Sequence, residues 1–120
     1  MVNTDPNECR IPTTWRNSVI GALESDDKLR VIRKPYARHG WFSKFPDTWE
    51  HQWNNALIAA LSNNDVIGRH ITDMKPPCDA YAFWFTFDGV NMYGKIGLLS
   101  DGHVIIIFSS HQPRKGENKL

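Results

Sequence analysis

Two Asp-Gly pairs, Asp88-Gly89 and Asp101-Gly102, each lie between runs rich in β-branched and aromatic residues. An Asp-Gly pair supplies the positive-φ backbone of a tight turn, so each reads as the tip of a β-hairpin. Three consecutive strands, over residues 81–87, 90–99 and 103–110, therefore form an antiparallel meander. Closing the first turn over two residues sets Phe87 opposite Val90, Phe85 opposite Met92, Phe83 opposite Gly94 and Tyr81 opposite Ile96. In the second hairpin Leu98 meets Ile105 and Ile96 meets Ile107. These positions share one face, where a large ring over Gly94 fills the space of the missing side chain. That face is the core. The opposite face carries Thr86, Trp84, Asn91, Tyr93, Lys95, Phe108 and Ser110. A two-residue second turn puts Tyr93 opposite Ser110 and Lys95 opposite Phe108, and a bulge shifts that pairing by one.

Upstream of the meander the periodicity changes. Trp15, Val19, Ala22 and Leu23 recur on one face of a helix over residues 14–25, capped by Thr13 or Thr14 and ended by Asp26-Asp27. A short strand over 29–33 follows. Residues 34–46, broken by Pro35, Gly40 and Pro46 and rich in rings (Tyr36, Trp41, Phe42, Phe45), read as a long ordered loop. A second helix spans 47–62, with Asp47 as N-cap, Glu50 completing a capping box, and Trp49, Trp53, Ala56, Leu57, Ala60 and Leu61 as its buried stripe. The expected fold is α+β: two N-terminal helices packed on one face of a C-terminal antiparallel β-meander. It forms a single domain over 1–120, with 1–12 as a flexible arm and 112–120 as a polar tail.

A chain of 120 residues, 41% of them hydrophobic, has material for one core. The longest strongly apolar run, residues 104–108, falls far short of the ~20 residues of a membrane span, so no membrane role is expected. The polar opening shows no secretory signal, and Cys9 and Cys78 make no disulfide framework, which together fit a cytoplasmic setting. Charge is balanced, with 14 Lys+Arg against 13 Asp+Glu and a net charge of +1, so global attraction to nucleic acid is not supported. Locally, residues 28–44 hold Lys28, Arg30, Arg33, Lys34, Arg38 and Lys44 without an acid. Walker, GxGxxG, HExxH and CxxC motifs are absent, and His39, His51, His70, His103 and His111 show no metal spacing. No metal or other cofactor is expected. Nor is DNA, because no helix-turn-helix is visible.

What remains is a cluster of polar residues on the sheet and at its exit: Tyr93, Lys95, Ser109, Ser110, His111, Arg114 and Lys115. Cutting RNA without a metal needs a group to take the 2′-hydroxyl proton, one to protonate the leaving oxygen, and cations around the crowded phosphorus. His, Lys and Arg supply these roles, with a hydroxyl to orient. The bland alternative makes Lys95 a solvated face residue and the tail a frayed end. His39 follows Arg38 in a ring-rich stretch that stacks on unpaired bases or pins the loop to the core.

The segment Met92-Tyr93-Gly94-Lys95-Ile96, the ending Phe108-Ser109-Ser110-His111 and the helix with Ala56-Leu57-Ile58-Ala59-Ala60-Leu61 resemble the small ribonuclease toxins of the RelE, colicin-tRNase and barnase-EndoU superfamily. The resemblance spans about residues 38–115. It implies a metal-independent endoribonuclease with its site on the exposed sheet face. Lys95 is then the cation, Ser110 and Tyr93 are orienting groups, and His111 or His39 is the acid/base. Arg38, Arg114, Lys115 and Trp84 are the candidate RNA-binding residues, and an antitoxin or immunity protein is the expected protein partner. The rival expectation is a non-enzymatic binding module or inhibitor of phage or plasmid type. It would dock through Trp84, Tyr93, Phe108 and Ile106, and the near-neutral charge favours it.

Overall fold

The computed structural model describes residues 8–25 and 27–113. In chain order these form β1 (Glu8–Arg10), α1 (Thr13–Glu24), β2 (Val31–Arg33), α2 (Pro35–Lys44), α3 (Glu50–Leu61), β3 (Ile67–Ile71), β4 (Asp79–Phe87), β5 (Val90–Leu98) and β6 (Ile105–His111). One six-stranded sheet results, ordered β1-β3-β4-β5-β6-β2, and only the β2–β6 pair is parallel. The α+β class holds. Its arrangement is richer than two helices on a meander, because three helices form and the meander gains strands on both sides.

The first hairpin has the register its turn demands. Phe87 pairs with Val90 and Tyr81 with Ile96, and Asp88 and Gly89 take φ values of 52° and 75°. The second connection is longer. The Leu99 N–H bonds the Val104 carbonyl, and Asp101 Oδ1 accepts from the amides of His103 and Val104. Those two bonds hold the Asp101 carboxyl below its ordinary range.

Three expectations need correction. Residues 35–44 are a helix, not a loop: Pro35 occupies the first helical turn, where its missing N–H removes no bond. Residues 8–10 are not a loose arm but an edge strand on β3, while the rest of the arm, residues 1–7, lies outside the described residues. The third helix starts at Glu50 rather than Asp47, because Gln52 Oε1 accepts the Trp49 N–H at 2.8 Å and fixes the start there. The polar tail beyond residue 113 also lies outside the described residues.

The helices cover the face bearing Tyr81, Phe83, Phe85, Met92, Ile96, Ile105 and Ile107. Rings dominate this core. Trp41 of α2 stacks on Trp53 of α3 at 5.6 Å with planes 4° apart, and both are fully buried. Trp41 also abuts Phe45 and Phe87 at 4.6 and 5.0 Å. The buried Arg16 of α1 donates to the carbonyls of Ile11 and Leu61, tying the α1 start to the α3 end. Among the described residues no helix is long and apolar enough to cross a membrane.

Candidate functional site

Among the described residues the other sheet face carries no helix, and its chemistry depends on one irregularity. Ile96 pairs with Ile107 but Lys95 pairs with Ser109, so Phe108 is an extra residue on β6. This β-bulge moves every later β6 residue along by one. Tyr93 therefore lies opposite His111, and Lys95 opposite Ser109. Ser110 falls opposite Gly94 on the helix side, where its Oγ accepts the Trp53 Nε1–H at 2.9 Å. The site is thus built from Ser109 and His111 rather than Ser110.

β2 stops at Arg33, and α2 takes over beside the end of β6. Gly40 makes this approach possible: a Cβ there would lie 2.5 Å from the Ser110 carbonyl oxygen and 2.9 Å from His111 Cβ. The approach brings Tyr36 edge-on to His111, with centroids 5.6 Å apart. Tyr93 flanks the same imidazole at 5.4 Å, and Trp84 stands beyond Tyr93 at 5.8 Å. Four rings from β4, β5, β6 and α2 thus lie in one row across the strands.

A groove of about 620 Å³ opens beside this row, lined by Lys34, Pro35, Tyr36, Lys75, Tyr93, Lys95, Phe108, Ser109 and His111. Lys75 comes from residues 72–78, which fold back over the sheet. Their closeness shows at Gly97, where a Cβ would collide with Cys78 Sγ and the Phe108 ring. Among the described residues the lining contains three ammonium groups and no carboxylate. His111 is 5% exposed, so its imidazole belongs to the groove floor, not the rim.

The remaining candidates divide. Trp84, Tyr93, Lys95 and His111 share the open face. His39 and Arg38 do not line the groove; His39 is exposed on α2, and Arg38 hydrogen-bonds Glu50. Arg114 and Lys115 lie outside the described residues. Ile106, offered for a docking patch, is only 2% exposed and presents little to a partner. Lys34, Lys75, Tyr36 and Ser109 complete the groove. Of these, Lys34 was visible only as one member of a basic run, and Lys75 carried no signal.

The basic run is split by strand alternation. Lys34 faces the groove, whereas Arg33 turns to the helix side and lies 4.7 Å above the Trp53 ring. Its guanidinium gives Nη2 to Asn54 at 2.6 Å and meets Glu50 at 3.4 Å. Burial lowers the Arg33 pKa, partly offset by Glu50. Glu50 is held below its ordinary range mainly by the Arg38 hydrogen bond, with Arg33 and Lys28 adding to it against partial burial. Among the described residues no three His, Cys, Asp or Glu side chains converge to hold a metal ion.

Comparison with known protein families, curated proteins and solved structures gives no match.

Proposed function

We propose that this chain is a metal-independent endoribonuclease of the small toxin type, acting in the groove between β5, β6 and α2. One observation carries the reading: an imidazole set between two tyrosine rings, in a groove that the described residues line with three lysines and no carboxylate. RNA brings its own nucleophile. The 2′ oxygen attacks the adjacent phosphorus and the bond to the 5′ oxygen breaks, leaving a 2′,3′-cyclic phosphate and a 5′-hydroxyl. One proton must leave the 2′ oxygen and one must reach the 5′ oxygen.

Imidazole exchanges protons near neutrality, which suits it to this work. In this reading His111 takes the 2′-hydroxyl proton, and the phenol of Tyr93 or Tyr36 protonates the leaving oxygen. Lys95, with Lys34 and Lys75, stabilises the charge that builds on the phosphoryl oxygens, and the Ser109 hydroxyl orients them. A protein inhibitor of antitoxin or immunity type, covering the same groove, belongs to the same reading.

The test is cleavage of a fluorogenic oligoribonucleotide by purified protein in EDTA. Lys95→Ala and His111→Gln should each lower the rate ~10²-fold or more, with the fold checked by circular dichroism. Tyr93→Phe and Tyr36→Phe then identify the proton donor. Absence of cleavage by the wild type, or full cleavage by both the Lys95 and His111 variants, overturns the proposal.

A further inference from the structure

Resting on the ribonuclease reading, we infer that the substrate is single-stranded RNA laid across the β-strands. An unpaired base lies over Trp84 at the end of the aromatic row, which leaves His111 and the tyrosine hydroxyls to the scissile phosphate, and the phosphates follow the neighbouring row that carries Lys95. Trp84, Tyr93 and His111 are direct cross-strand partners, and Tyr36 continues their line. Successive centroids are 5.8, 5.4 and 5.6 Å apart.

The next row along the strands is Ala82, Lys95 and Ser109, also direct partners. Two residues of strand separate the rows, about 7 Å. That is the scale on which a nucleotide sets its base apart from its phosphate. Ala82 and Ser109 are buried, so Lys95 is the member of this row that a phosphate reaches. The row's far end is Arg69, paired across to Glu8, so the positive track is strongest at Lys95 and the groove lysines.

This arrangement discriminates between forms of RNA. Stacking on a protein ring needs a base whose face is open, which a continuous duplex does not offer. Every base has such a face, so the row favours unpaired nucleotides without choosing a sequence. Trp84 lines no part of the groove that holds His111 and Lys95, and is therefore a substrate-positioning residue and not a catalytic one.

The experiment presents one target sequence in a hairpin loop and in a stem. Loop cleavage should exceed stem cleavage at least tenfold. Trp84→Ala should raise KM about tenfold, the scale of one lost base stack, with kcat kept, and Trp84→Phe should recover most of it. Equal cleavage of loop and stem, or a Trp84→Ala loss confined to kcat, overturns the inference and leaves the ribonuclease reading standing. If no RNA is cut, that reading fails by itself, and binding of a 2′-O-methyl strand decides the inference. Loop-selective binding weakened by Trp84→Ala supports it; equal binding of duplex, or no effect of Trp84→Ala, overturns it.

Discussion

Gly21 and Gly40 are both helical glycines, yet the same substitution should move stability in opposite directions at the two sites. Inside a helix alanine is favoured over glycine by about 1 kcal/mol. A Cβ at Gly21 meets nothing within 4 Å, so Gly21→Ala should gain about that amount. At Gly40 the added carbon would lie 2.5 Å from the Ser110 carbonyl oxygen and 2.9 Å from His111 Cβ. Neither is the end of a flexible side chain: one is backbone of β6 and the other is fixed to it. Relief therefore requires α2 and β6 to separate, and overpacking of this kind costs about 1–3 kcal/mol. With a rigid neighbour the cost belongs at the upper end, so Gly40→Ala should lose about 2 kcal/mol after the helix gain is subtracted. Urea unfolding of the two variants at constant m-value is the assay. The same separation draws Tyr36 away from His111, so on the proposed ribonuclease reading Gly40→Ala should also lose cleavage. Stabilisation by both substitutions would refute the packing of α2 on β6 and, with it, the origin of the groove.

Two further perturbations reach the site from the helix side. Ser110→Ala removes the acceptor of the buried Trp53 Nε1–H and should cost about 1–3 kcal/mol in urea unfolding, because the donor is left without water. Glu50→Gln removes the carboxylate between Arg33 and Arg38. Breaking a fully buried pair costs about 3–5 kcal/mol, but Glu50 is 39% exposed and water shares the charge, so about 1 kcal/mol is expected. The pH dependence has a definite sign. The Glu50 pKa is depressed on folding, so its contribution is present above the unfolded value of about 4.5 and disappears as pH falls through the folded value. Unfolding free energies of wild type and Glu50→Gln should therefore converge on acidification below about pH 4.5. A gap that widens there would show that Glu50 does not hold this network.

The meander was legible because turn chemistry and alternation agree in it: Asp88-Gly89 sets the register, and the Phe83 and Phe85 rings do close over Gly94. The bulge was not, for a simple reason. Ile105, Ile106, Ile107 and Phe108 are all large and apolar, so no alternation survives to mark where one residue is added. The consequence falls on function, since that residue decides whether Ser110 or His111 faces the groove. α2 was hidden by Pro35 and Gly40, which read as loop punctuation. One occupies a helical start and the other a close contact, and neither role can be read without knowing what α2 packs against. β3 is five residues long with Gly68 inside it, and Gly68 is required by the approach of Ile11. Such a strand takes its form from β4 rather than from its own composition.

Net charge was the strongest sequence argument against a nucleic-acid substrate, and the fold changes what it means. Attraction between exposed charges fades over about 8–10 Å at ordinary salt, so a phosphate in the groove responds to the groove and hardly to the whole chain. Folding sorts the cations before any ligand arrives. Arg33 and Arg38 meet Glu50, Arg10 meets Asp65, and Arg30 binds the His103 carbonyl. Lys34, Lys75 and Lys95, from three separate parts of the chain, line a groove with no carboxylate among the described residues. A net charge of +1 therefore does not count against the proposed polyanion at the groove, though it means little pull on one at a distance. What such a site selects then depends on short-range geometry, namely the ring row beside the lysines, more than on the amount of charge.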